Sequence, residues 1–202
     1  MCHNTGQPSF EMQVEPNGAG PPAEGEGSGL YALVIYVPEP LCTFLDDLRL
    51  ELVPGGNPHA HVSVLPPRPL PVAAWAAIQE ARGIVAGFAP FEVQLGGIEK
   101  FDVTDVIYIS VTRGGDQLRQ MHAALNRGAL AFAEPFDYHP HITLAQDIPP
   151  ERVEPLLDLA GRRWRENPGP RAFRADHTMF VRNTGDNWVD LAEGPLRAAP
   201  VP

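Results

Sequence analysis

The feature that most constrains this chain is a repeat. His59-Ala-His61-Val-Ser63-Val-Leu65 returns eighty residues later as His139-Pro-His141-Ile-Thr143-Leu-Ala145. Each copy is preceded by a helical pattern and, before that, by an apolar strand, VIYV at 34–37 and VIYISV at 106–111. Each is followed by a proline-rich corner, Pro66-Pro67-Arg68-Pro69 or Pro149-Pro150, then by a helix and two strands. Solenoids and propellers need about three repeats to bury their faces, so two copies exclude them. Two copies of one supersecondary unit instead predict a pseudo-twofold pair of lobes with a groove between them.

The periodicities fill in that frame. Leu30 to Val37 is a short, β-branched apolar run closed by Pro38 and Pro40, as expected of a strand. Leu41, Phe44, Leu45 and Leu48 then carry the spacing of an amphipathic helix that stops before Pro54-Gly55-Gly56. Further strands are predicted at 60–65, 91–98, 106–112, 141–145, 173–181 and 187–191, and helices at 72–87, 116–127 and 150–165. This is an α+β fold, with an antiparallel-rich sheet in each lobe and helices outside. Trp75, Trp164 and Trp188 occupy apolar positions of these elements and are expected in the core.

Composition sets limits. Residues 1–29 hold six Gly, four Pro, four Glu and no Lys or Arg, and read as a disordered acidic leader to a single two-lobed domain over 30–202. The leader contributes minus 4 of the formal net charge of minus 10. Such acidity argues against a long nucleic-acid footprint or adhesion to anionic membranes, so an RNA partner would be gripped at an end or at one nucleotide. Cys2 and Cys42 cannot build a disulfide framework or a cysteine zinc site, and no signal-peptide pattern or apolar run of about 20 residues is present. A cytoplasmic protein with no membrane contact and no obligate protein partner is expected. The sole lysine is Lys100, and no GxxxxGK[ST] loop occurs, which argues against ATP-dependent chemistry.

Four of the seven histidines fall in the repeat. In a strand, residues i and i+2 share a face roughly 6.6 Å apart, so His61 lies beside Ser63, and His141 beside Thr143. If both faces meet at the groove, they bring together two imidazoles and two hydroxyls. That set suits phosphoryl transfer: one imidazole as base, one imidazolium as acid, and two hydroxyls donating to non-bridging oxygens. No metal and no cofactor is required.

The paired segments HVS at 61–63 and HIT at 141–143 resemble the H-x-[ST]-x motifs of the 2H phosphoesterase superfamily, which includes the LigT-like 2',5' RNA ligases and cyclic nucleotide phosphodiesterases. The order of elements across 30–193 and the phrase Tyr138-His-Pro-His-Ile-Thr are similar as well. The resemblance implies a LigT-like fold, with His61 and His141 as the acid/base pair and Ser63 and Thr143 holding phosphoryl oxygens. It implies action on 2',3'-cyclic phosphate ends of RNA, on small cyclic nucleotides or on 2',5' linkages. Serine in the first motif, where threonine is common, keeps the hydroxyl and loses the methyl that would fix its rotamer.

Two other readings stand beside this one. His59 and His139 make each motif an H-x-H, a pattern that can ligate a metal in a hydrolase, although no carboxylate follows at the usual spacing. A groove that binds nucleotides or RNA ends without turnover is the third. His59, His139, Tyr36, Tyr138 and Arg68 are candidates for contacts with base or phosphate. His122 and His177 are expected to be structural or exposed, and Arg162, Arg163 and Arg165 to form a solvated helix end.

Overall fold

In a computed structural model, residues 29–56, 58–185 and 187–197 are described. Apart from Gly29, the expected leader lies outside them. The elements in chain order are β1 (Tyr31–Tyr36), α1 (Leu41–Leu52), β2 (His61–Arg68), α2 (Ala74–Val85), β3 (Phe91–Lys100), β4 (Ile107–Arg113), α3 (Gly115–Leu125), β5 (His141–Ala145), α4 (Pro150–Glu166), β6 (Ala172–Ala175), β7 (His177–Asn183) and β8 (Trp188–Pro195).

Among the described residues eight strands form two antiparallel four-stranded sheets, ordered β2-β1-β7-β8 and β5-β4-β3-β6. In each, the strand carrying a histidine motif is the edge strand and pairs with the strand that opens its repeat: β2 with β1, β5 with β4. The helices join the sheets crosswise. α1, which leads into β2, packs on β5, while α3, which leads into β5, packs on β2, and the two motif strands pack on each other. One apolar core spans both sheets, with Leu33, Ile35, Leu45, Val62 and Val64 from one repeat continuous with Ile107, Ile109, Leu118, Ile142 and Leu144 from the other. The lobes are therefore two sheets over one shared core. Among the described residues, no helix is long and apolar enough to cross a membrane.

Three expectations are corrected. The corner predicted at Pro66-Pro67 is strand, because β2 runs on to Arg68. Proline is tolerated there because β2 is an edge strand and its outward groups need no ladder partner. The single strand predicted over 173–181 is two, divided at Asp176: β6 pairs with β3 in one sheet and β7 with β1 in the other. The buried phase shifts with it, from Phe173 and Ala175 to Thr178 and Phe180. Trp164 is buried, but Trp75 is 58% exposed and Trp188 40%. Trp75 misses the face by which α2 enters the core, which is Ala77, Ala81 and Val85; Trp188 begins an edge strand with no outer neighbour.

Candidate active site

The strand period puts the four motif side chains where the repeat predicts. Along β2, Val62 and Val64 are buried on the core side, while His61 and Ser63 are half-buried on the opposite face. Along β5, Ile142 and Leu144 point into the core, and His141 and Thr143 are half-buried on the other face. Tyr36 stands opposite His61 and Val34 opposite Ser63; in the second sheet Ser110 stands opposite His141 and Tyr108 opposite Thr143. The packing of β2 on β5 brings His141 near enough to His61 to disfavour a positive charge on His61.

Both imidazoles are held the same way. His61 Nδ1 lies 2.7 Å from the carbonyl oxygen of His59, and His141 Nδ1 lies 2.6 Å from that of His139. A carbonyl oxygen only accepts, so Nδ1 carries the proton in both rings and Nε2 is the unprotonated nitrogen of each. The H-x-H pattern thus has a backbone role: the first histidine of each pair supplies the carbonyl that fixes the tautomer of the second. Burial pushes His61 down to about 4, against the backbone bond that raises it, with Arg49, His59 and His141 lowering it further. His141 is lowered by burial as well, and by His139.

The rings of His59 and His139 are exposed and lie just ahead of the strands. His59 stacks on Tyr36 at 3.6 Å between centroids, and the Tyr36 hydroxyl donates to Asp190 at 2.5 Å. His139 meets Phe101 and Tyr108 edge-on. Phe101 stacks on Tyr108 at 4.2 Å, both rings stand edge-on to His141, and the Tyr108 hydroxyl donates to Glu99 at 3.1 Å. Burial and the Asp190 bond raise the Tyr36 phenol, and burial and Glu99 raise that of Tyr108, so both stay protonated donors. Among the described residues no three His, Cys, Asp or Glu side chains gather as they would around a metal.

Two candidates are placed elsewhere. Arg68 is 1% exposed, and its guanidinium is bound to Glu134, to Asn126 Oδ1 and to the Leu130 carbonyl, leaving it no route to a ligand. It tethers the long loop before β5 to the end of β2. Tyr138 is an internal strut, stacked on His122 at 4.0 Å, its hydroxyl donating to the Ser63 carbonyl at 2.8 Å. His122 in turn reaches Glu134 at 2.9 Å. The chain Arg68–Glu134–His122–Tyr138 therefore clamps the segment before the second motif onto the strand of the first.

Phe101, Tyr108, Glu99 and Asp190 were not singled out from the sequence. For Tyr108 the signal was present: Ile107 and Ile109 alternate with Tyr108 and Ser110, which marks the non-core face. Asp190 had none, because only the β7–β8 register brings it to Tyr36.

The sequence profile of the 2'-5' RNA ligase superfamily matches residues 37–187. The chain belongs to that superfamily, the 2H phosphoesterases. A presumptive phosphoesterase of Oceanobacillus iheyensis is 31% identical to this superfamily member over 113 residues, covering 55% of the chain and 64% of that relative's length. E. coli LigT complexed with NADP+ superposes with a TM-score of 0.57 at 19% identity, covering 85% of this chain and 99% of LigT. E. coli LigT complexed with 3'-AMP gives 0.56 at 16% identity over 85% and 100%. TT0787 of Thermus thermophilus gives 0.53 at 17% over 83% and 98%. At these identities the likeness is one of fold.

Proposed function

We propose that this superfamily member is a metal-independent phosphodiesterase that acts on 2',3'-cyclic phosphate ends of RNA or nucleotides, or on 2',5' linkages, by paired-histidine acid/base catalysis in the cytoplasm. The observation that carries the reading is the matched tautomer: two histidines on packed edge strands, each with Nδ1–H donated to a carbonyl two residues back and each on the same strand face as a hydroxyl residue. LigT structures holding 3'-AMP and phosphate support an occupant of nucleotide size.

The chemistry balances with these groups alone. Water loses a proton to one Nε2 and attacks phosphorus in line. One ribose P–O bond breaks, and the departing oxygen takes a proton from the other Nε2. Ser63 and Thr143 donate to the non-bridging oxygens as charge builds there. The net change is addition of one water across the cyclic ester.

The test incubates the full chain with a 2',3'-cyclic nucleotide and with RNA bearing a cyclic end, EDTA present, and locates the phosphate in the product. Turnover to a 2'-phosphate, lost in His61→Ala and in His141→Ala, is expected. Activity retained in either variant, or abolished by EDTA and restored by zinc, overturns the reading.

A further inference from the structure

The two motifs differ at one backbone atom. The residue between the histidines is Ala60 in the first and Pro140 in the second. Ala60 has an N–H, and it donates to Asp46 Oδ1 on α1 at 2.7 Å. That N–H belongs to the same peptide unit as the His59 carbonyl, whose oxygen accepts the His61 Nδ1–H at 2.7 Å. A carboxylate, a peptide and an imidazole thus stand in series. Ala60 is fully buried and its own carbonyl, in the following peptide, accepts from Val37 N at 2.9 Å, so the backbone around the linking peptide is held in place. In the second motif the peptide before Pro140 has no N–H, and no carboxylate can be attached to it.

Hydrogen bonds in series polarise one another: a carboxylate on the N–H end of a peptide makes its carbonyl oxygen a stronger acceptor. The proton on His61 Nδ1 is held more tightly, and Nε2 becomes a stronger proton acceptor. We propose that Asp46, acting through the His59–Ala60 peptide, is a positioning residue that makes His61 the general base, and that His141, which lacks this relay, is the general acid. The inference rests on the phosphodiesterase reading and assigns the two roles within it. Water would give its proton to His61 Nε2, and the ribose oxygen released when the P–O bond breaks would take its proton from His141 Nε2.

The charged and titratable groups around His61 oppose the relay. Arg49, His59 and His141 all disfavour an imidazolium there, and burial does so most. Arg49 lies in the field of Asp46. Removing the Asp46 charge would weaken the relay and leave Arg49 less compensated, and both effects lower the affinity of His61 for a proton. His141 faces His139 and the rings of Phe101 and Tyr108, and none of these touches the relay.

Asp46→Asn keeps the shape and removes the charge. Imidazole titration by NMR in the full chain is expected to show the His61 pKa falling by about half a unit to one unit, with His141 unmoved. The acidic limb of kcat/KM should shift down equally and the plateau fall about 3- to 10-fold, the alkaline limb staying in place. Equal shifts at both histidines, no shift at His61, or movement of the alkaline limb overturns the proposal. A second pair of variants tests the roles without touching Asp46. On a phosphodiester with a p-nitrophenolate leaving group, which needs no proton, His141→Ala should recover most of its loss and His61→Ala should not; the reverse pattern overturns the assignment. The NMR titration needs no turnover, so an inactive protein would sink the phosphodiesterase reading and still leave the relay to be judged.

Discussion

The two histidine motifs are held alike and surrounded differently. His61 lies opposite Tyr36, under the Tyr36–His59 stack, with Val34, Met179 and Val181 forming an apolar patch on that face of the sheet. His141 lies opposite Ser110, against the Phe101–Tyr108 stack, with Glu99 bonded to Tyr108. The repeat supplied the same histidine geometry twice, and the neighbouring strands then gave each copy its own surroundings. A symmetric acid/base pair has no preferred direction for its substrate; unequal neighbours supply one.

The largest effect expected from perturbing this comparison is on catalysis. His61→Ala and His141→Ala should each lower kcat/KM on a cyclic phosphate by about 10²- to 10⁴-fold without changing the unfolding midpoint by more than a few degrees. Equal loss sharpens the pairing; near-normal rates in one variant break it.

Next comes stability. Arg68→Ala removes one partner of a buried charge pair and leaves Glu134 with His122 as its remaining partner, which should cost about 3 kcal/mol in denaturant unfolding. At a temperature where the variant remains folded, KM should stay within about twofold, since the Arg68 guanidinium is buried and bonded to Asn126, Leu130 and Glu134. A rise in KM without loss of stability would return Arg68 to the substrate.

Ser63→Ala and Thr143→Ala should each cost about 10²-fold in kcat, as expected for a donor to a developing oxyanion. A gap between the two measures how unevenly the lobes hold the phosphoryl group. Smallest is Tyr138→Phe, which keeps the stack on His122 and deletes the bond to the Ser63 carbonyl. It should cost about 1 kcal/mol in thermal unfolding. No change would show that the strut contributes little to joining the motifs.

Much of this was legible in the chain. Period-two alternation around His61 and His141 placed both histidines and both hydroxyls on the non-core faces, and the repeat implied that the faces meet. What stayed hidden depends on pairing across long sequence distances. Nothing local marks the switch of sheets at Asp176, because Met179 and Val181 are as apolar as Phe180 and continue the pattern in either phase. Arg68 reads as a surface cation until Glu134, 66 residues away, is brought to it. Asp46 sits in an acidic helical pair with Asp47 that looks like a solvated face, and its bond to Ala60 is made only when the chain folds back 14 residues on, just ahead of β2. The contrast between Ala60 and Pro140 was in plain view, but it acquires meaning only once the carbonyls of His59 and His139 are seen to hold the rings.

The pH dependence of kcat/KM with a 2',3'-cyclic nucleotide, EDTA present, tests the central claim most directly. This quantity reports the free protein, in which one histidine must be neutral and the other protonated. Both are lowered from the ordinary 6.5, His61 to about 4. Protonation of His61 removes the base as pH falls toward 4, and deprotonation of His141 removes the acid as pH rises through its own lowered value. A bell with its maximum on the acid side of neutrality is the predicted result. A rate that is still climbing above neutral pH, or that vanishes with EDTA and returns with zinc, would contradict paired-histidine catalysis.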